Sequence, residues 1–221
     1  MPARDEAPTV AAVVEAARGC SYARDVLVVD DGSRDATADL AMAAGAKVVR
    51  RPSSAGGSKA HAMEAGVAAS DADAILFCDA DCTGLTSAHL DRICAPFVEG
   101  RATMSVGWFD YGWLNPLVLR LPPTTGERVV PRWVWDAVPA SKRRGYSIEI
   151  MINEVIAERR LRTTAQVMAG VSHRTKREKL GMARGYRETW RMLWQLVGLP
   201  VRGVVRWRTY WFYLRALTIE R

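Results

Sequence analysis

The sequence contains no run of about 18 uncharged apolar residues, so no membrane-crossing helix is expected. Its start lacks a basic segment followed by an apolar one, so no secretory signal is expected either. Cysteine is scarce, with four in the chain, and none has zinc or redox spacing, since three residues separate Cys78 from Cys82. Reduced thiols in a cytoplasmic protein are the expectation. There is no internal repeat, no low-complexity segment, no G-x-x-x-x-G-K-[ST] loop and no G-x-G-x-x-G fingerprint. With 49% hydrophobic and 25% charged residues, the composition excludes a disordered chain, a coiled coil and a collagen-like fibre. The formal net charge is +7, and it is unevenly distributed. Residues 184–221 hold eight arginines and two glutamates, a local excess of +6. A local anionic partner fits this better than nucleic acid, which no recognised binding module accompanies.

What is present is an alternation of two periods. Val10, Val13, Val14 and Ala17 form one helical stripe, followed by Gly19. Val26 to Val29 is a short apolar run, the mark of a strand covered on both faces. Helices are predicted over 35–44, 59–69 and 86–98, and strands at 47–49, 74–77 and 103–109. This spacing implies βαβ units and a mostly parallel α/β sheet flanked by helices. Further on, 110–130 reads as a loop rich in Pro and Gly. Helices are predicted over 131–138 and 147–160, and a strand over 163–171. Only Met1-Pro2-Ala3 precede the polar Arg4-Asp5-Glu6, so the usual first strand is expected to be missing.

Two acidic clusters close predicted strands. Asp30-Asp31 follows 26–29, and Asp79-Ala80-Asp81 follows 74–78. In an open parallel sheet, ligands bind beyond the carboxyl ends of the strands. Carboxylates gathered there need a cation, and Mg²⁺ takes one or two of them together with substrate phosphates. Ahead of the 59–69 helix stands Ala55-Gly56-Gly57-Ser58-Lys59, where glycine, a helix start and a lysine favour an anion.

These segments resemble family 2 glycosyltransferases of the GT-A fold. The resemblance rests on Pro2-Ala3-Arg4-Asp5-Glu6, on Val29-Asp30-Asp31-Gly32-Ser33 with Asp35 and Thr37, on the Gly-Gly-x-Lys loop, and on Asp79-Ala80-Asp81. It continues through Thr125-Gly126-Glu127-Arg128, Gly145-Tyr146-Ser147-Ile148-Glu149 and His173, covering roughly 2–180. The pattern is most similar to the branch of glucosyl-3-phosphoglycerate synthases and polyprenyl-phosphate sugar transferases. It implies a nucleotide-sugar half over 1–100 and an acceptor half over 101–180. Ala3, Arg4, Glu6, Asp30, Asp31, Lys59, Asp79, Ala80 and Asp81 would bind the donor. Asp81 and His173 would hold Mg²⁺ or Mn²⁺. Asp81 and Glu149 would be catalytic, with Glu149 reaching the sugar or acting as base. Gly126, Glu127 and Arg128 would face the acceptor. The implied reaction moves a sugar from UDP-glucose or GDP-mannose to a phosphorylated lipid carrier or a small anionic molecule. Gly170-Val171-Ser172 lacks the arginine that the phosphoglycerate-using branch carries before its histidine. A nucleotidyltransferase and a catalytically silent interaction protein are the alternatives. His61 and His89, inside predicted helices, read as surface or packing residues.

Beyond residue 181, two amphipathic helices are predicted. Trp190, Leu193, Trp194 and Val197 lie at helical spacing, as do Trp207, Tyr210, Trp211 and Leu214, and the two groups are separated by Gly198-Leu199-Pro200. Tryptophan on one side and arginine on another suit peripheral contact with an anionic membrane, or packing against the catalytic domain or in a homodimer. A phosphomonoester acceptor, largely ionised at neutral pH, would need no strong general base.

Overall fold

The computed structural model describes residues 1–52, 57–110, 122–143, 148–173 and 206–220. The predicted helix around Trp190–Val197, the break at 198–200, Gly56 and residues 145–147 lie outside them. The chain opens with β1 (Pro2–Ala3), α1 (Val10–Arg18), β2 (Leu27–Asp30), α2 (Thr37–Ala43) and β3 (Lys47–Arg50). These strands form a parallel sheet in the order β1-β2-β3. Burial explains the pattern: Val10, Val13, Val14 and Ala17 of α1 are buried, as are Val28 and Val29 of β2. Gly45 at φ 93° reverses the chain into β3, a conformation that glycine adopts without cost. Of the first strand expected to be missing, two residues are in fact present. Pro2 and Ala3 pair in parallel with Val29 and Asp30.

α3 (Lys59–Ala68), β4 (Ala74–Phe77), β5 (Cys82–Thr83), α4 (Ser87–Val98) and β6 (Met104–Phe109) follow. Then come β7 (Arg128–Pro131), α5 (Arg132–Asp136), α6 (Ile148–Glu158), β8 (Thr163–Met168), β9 (Ser172–His173), α7 (Trp207–Ala216) and β10 (Leu217–Glu220). A five-stranded sheet runs β10-β8-β6-β7-β4, and β5 pairs with β9. β7 is antiparallel to both of its neighbours, whereas β8 is parallel to β6 and to β10. The sheet system is thus mostly parallel and flanked by helices, the α/β class anticipated.

Two expectations are corrected. The end of the 110–130 loop is strand β7, because Val129 and Val130 are both buried and give a short doubly covered run. The last residues are not helical. β-branched Thr218 and Ile219 lie in β10, and Glu220 accepts from Gln166 Nε2 (2.8 Å) and pairs with Arg101. β10 thereby ties the C-terminal segment into the sheet.

α6 is the axle of the second half. Its residues from Ile148 to Ala157 are all buried. Ile148, Ile152 and Ile156 are fully enclosed, each contributing about 1.5–3 kcal/mol by burial. α7 packs on α6. Tyr213 is fully buried and its hydroxyl donates to the Asn153 carbonyl (3.3 Å). Glu154 and Glu158 of α6 both take partners from the segment leading into α7. Buried Glu154 accepts the Arg206 N–H (2.9 Å), and Glu158 pairs with Arg206 (2.7 Å) and Arg208 (2.6 Å). Trp207, Trp211 and Leu214 remain exposed on α7. Tyr213→Ala is therefore expected to cost roughly 3 kcal/mol in urea unfolding. Trp211→Ala, at an exposed position, should change stability by less than about 0.5 kcal/mol.

Candidate active site

The first segment of the site is laced to the turn after β2. Asp5 N–H donates to Ser33 Oγ (3.0 Å), Glu6 N–H to Thr37 Oγ1 (2.8 Å) and Ala7 N–H to Asp35 Oδ2 (3.1 Å). In return, Arg34 N–H donates to Asp5 Oδ1 (2.8 Å), and Ser33 N–H donates to Asp30 Oδ1 (3.1 Å). The short polar residues of both turns thus satisfy each other's main chain. Ala3, Glu6, Asp30 and Asp31 are buried, while Arg4 is exposed and lies across Gly57. A Cβ at Gly57 would fall 1.5 Å from the Arg4 guanidinium, so a side chain there would turn this exposed arginine aside. Thr9 Oγ1 donates to the Ala80 carbonyl (2.8 Å), fastening the entry to α1 onto the Asp79–Asp81 turn.

A continuous polar chain joins the two acidic clusters. Asp31 pairs with Arg51 and accepts Ser58 N–H (2.7 Å). The next residue, Lys59, starts α3 and places its ammonium 2.7 Å from Asp79 Oδ1 and 2.7 Å from Glu149 Oε1. The Lys59 side chain is 18% exposed and that of Glu149 only 4%. Burial by itself would lower the lysine's pKa, but the two carboxylates outweigh it and hold the pKa above its ordinary value. Lys59 is the internal counter-ion of the site. Sequence reasoning found Lys59, Asp79 and Glu149 but not their mutual contact. It missed Arg51 and Thr9, neither of which carries a pattern of its own, and had Ser58 only as part of the loop before α3.

Gly126, Glu127 and Arg128, expected to face the acceptor, are all buried, because β7 draws this segment into the sheet. Glu127 lies beneath the acidic turn. It accepts Asp79 N–H (3.3 Å), the Cys82 thiol (3.0 Å) and the Thr125 hydroxyl. Burial, and then the charge of Asp79, raise its pKa. Arg128 donates to the carbonyls of Pro123 (3.1 Å), Thr125 (3.1 Å) and Glu149 (3.1 Å), and to Asn153 Oδ1 (3.0 Å). Its guanidinium is occupied inside the protein. Gly126 backs directly onto Asp79, and a Cβ there would lie 2.3 Å from Oδ2.

On the far side of the turn, β5 and β9 pair with Cys82 opposite His173. Half-buried Asp81 is therefore one residue from the partner of His173 in this ladder. The His173 ring meets Phe109 edge-on at 4.8 Å. Among the described residues, no three His, Cys, Asp or Glu gather into a cage that would hold a metal by protein ligands alone. A two-ligand site completed by phosphate oxygens suits this set, as Mg²⁺ commonly prefers. Asp79 and Glu149 against Lys59 leave one net negative charge in this contact. His89 takes a structural place, capping α4 with Thr86, and His61 is exposed on α3. All four cysteines are buried and unpaired, and burial raises the pKa of each thiol.

Lys59→Met should strand two carboxylates and cost roughly 3 kcal/mol in chemical denaturation. Since the pKa of Lys59 is raised on folding, its stabilisation is complete below about pH 10, the unfolded lysine range, and fades at higher pH. The deficit of the variant should therefore be constant from pH 7 to 9 and shrink in more alkaline solution. Gly126→Ala should displace Asp79 and cost roughly 1–3 kcal/mol in chemical denaturation.

The glycosyl transferase family 2 model matches residues 1–149. No curated protein matches. Among solved structures, the chain is similar to glucosyl-3-phosphoglycerate synthase from Mycobacterium tuberculosis in complex with Mg²⁺ and uridine diphosphate. Identity is 23%, coverage is 78% of this chain and 69% of that one, and the TM-score is 0.66. It is also similar to that enzyme in complex with Mn²⁺, UDP-glucose and phosphoglyceric acid, at 25% identity, 78% and 69% coverage and a TM-score of 0.63. The likeness establishes the shared GT-A architecture, and the match over residues 1–149 places this chain in glycosyl transferase family 2.

Proposed function

We propose that this protein transfers a hexose from a nucleoside diphosphate sugar to a phosphorylated acceptor, assisted by Mg²⁺ or Mn²⁺ held by Asp81 and His173. The observation that carries this reading is the chain of contacts Asp31–Ser58–Lys59–Asp79/Glu149, which binds the two acidic strand ends into one site beside the β5–β9 pair. UDP-glucose is the donor favoured, since the similar synthase is solved with it. Residues 1–100 would supply the donor half and 101–180 the acceptor half.

The parts of the site divide the work. The Arg4–Glu6 segment and Asp30 would hold base and ribose, a reading supported by the reciprocal bonds that lock the segment to the turn at Ser33–Thr37. Asp31, fixed by Arg51 and Ser58, lines the nucleotide. Lys59 holds Asp79 and Glu149 in place, so the acidic turn does not reorganise as charge develops. When bound, the metal stabilises the departing diphosphate. Glu149, held by Lys59, acts here by orienting that ammonium. A base is not demanded, because a phosphomonoester acceptor arrives largely ionised. Asp81→Ala should abolish Mn²⁺-dependent UDP binding in calorimetry and glucose transfer to a phosphorylated acceptor. Wild-type affinity in that variant refutes the metal assignment.

A second reading of the acceptor, a phosphorylated lipid carrier met at the cytoplasmic membrane surface, is favoured by α7. Trp207 (62% exposed), Trp211 (60%) and Leu214 (45%) form one outward stripe, with Arg215 stacked over Trp211 at 5.7 Å. Such a face suits an anionic bilayer interface. Trp207→Ala with Trp211→Ala should reduce flotation on phosphatidylglycerol-containing vesicles several-fold without loss of stability. Unchanged flotation assigns the stripe to protein contact instead.

A further inference from the structure

The acidic turn between β4 and β5 is gripped at both ends by one side chain. Asp79 N–H and the Cys82 thiol bracket Ala80-Asp81, and both donate to Glu127 Oε1, over 3.3 Å and 3.0 Å. The other carboxylate oxygen, Oε2, accepts the Thr125 hydroxyl. A carboxylate offers only acceptors, and the three groups that reach this one are all donors. Glu127 is itself built into the sheet. Its carbonyl accepts Gly107 N–H from β6 (2.8 Å), and its own N–H donates to Thr125 Oγ1 (3.2 Å). It has no exposed surface, so its side chain is spent on the turn rather than on a ligand.

The same grip extends to the second residue of the proposed metal pair. Cys82 begins β5 and stands opposite His173 in the β5–β9 ladder. The next rung joins Thr83 and Ser172, where Thr83 Oγ1 donates to the Ser172 carbonyl (3.1 Å). Gly84 permits a close approach beyond it, since a Cβ there would lie 2.5 Å from the Gly170 carbonyl oxygen. Asp81 precedes Cys82 in the chain, and His173 faces Cys82 across the ladder. Fixing Cys82 therefore fixes the main chain from which both side chains leave. Thr9 holds the Ala80 carbonyl as well (2.8 Å), so the turn is pinned at 79, 80 and 82, on both sides of Asp81.

We infer that Glu127 is a positioning residue for the metal: by holding Asp79 N–H and the Cys82 thiol on one oxygen, it sets Asp81 and His173 relative to each other. The inference rests on the assignment of the metal to those two residues. Groups that orient metal-ligating residues typically matter roughly 10–100-fold to metal affinity or activity. A buried acceptor that loses its place here would leave the Asp79 N–H and the thiol without their partner, and the turn would reorganise to find others.

The test is calorimetric titration of the 221-residue chain with UDP, in the presence and absence of Mn²⁺, alongside thermal unfolding. The quantity read is the gain in UDP affinity that Mn²⁺ confers. Glu127→Leu, which removes both oxygens, should cut that gain by roughly tenfold or more. Cys82→Ala, which removes one donor, should cut it several-fold. Glu127→Gln keeps an oxygen at Oε1 and Cys82→Ser keeps a donor, so each should recover most of the gain. Without Mn²⁺, UDP affinity should stay within about twofold of wild type in every variant, because the Arg4–Glu6 segment is held separately by the turn at Ser33–Thr37. A role in stability alone would lower both affinities together. An undiminished gain in Glu127→Leu overturns the inference and leaves the metal assignment standing, and so does an equal loss with and without Mn²⁺. If the wild-type chain itself shows no gain, the metal assignment falls and this inference falls with it. Should Glu127→Leu fail to fold, Cys82→Ala and Cys82→Ser decide the matter, and equal gains in those two are equally contrary.

Discussion

One ammonium group between two carboxylates holds this site together. Lys59 belongs to the first turn of α3, Asp79 follows β4 and Glu149 begins α6. These elements are distant in sequence and share no main-chain ladder at this point. The 2.7 Å contacts from Lys59 to each acid tie them together at a place that is mostly withdrawn from water. Without the lysine, these two anions would be left unpaired. With it, the geometry is set before any ligand arrives.

Around that contact, buried polar residues act as scaffolding. Glu127 supports the acidic turn from below through Asp79 N–H and the Cys82 thiol. Arg128 closes the ends of the 123–125 segment and of α6 by donating to their carbonyls. Buried polar groups are tolerable when every partner is supplied, and these are well supplied. The C-terminal segment works in the same manner at a distance, with Tyr213 and β10 anchoring it and Trp207 and Trp211 left outside.

Much of this was legible in the sequence. The helices around Val10–Ala17 and Ile148–Ile156 announce themselves by apolar periodicity, and Val26–Val29 by an unbroken apolar run. The acidic pairs lie at strand ends, where the topology of open sheets places ligands. β7 was hidden because its two valines are flanked by Arg128 and Pro131 in a stretch rich in turn formers. β10 was hidden because Leu217–Glu220 directly continues a helical pattern, and only pairing with β8 decides its state. The inward turn of Arg128 was not readable at all: arginine is ordinarily exposed, and its carbonyl partners leave no trace in side-chain patterns.

The most direct test is to locate the metal. Crystals grown with Mn²⁺ and UDP should show an anomalous scattering peak between Asp81 and His173, in contact with the diphosphate, while Lys59 still bridges Asp79 and Glu149. A peak displacing Lys59 from those two acids, or none beside Asp81 when UDP is bound, would contradict the account.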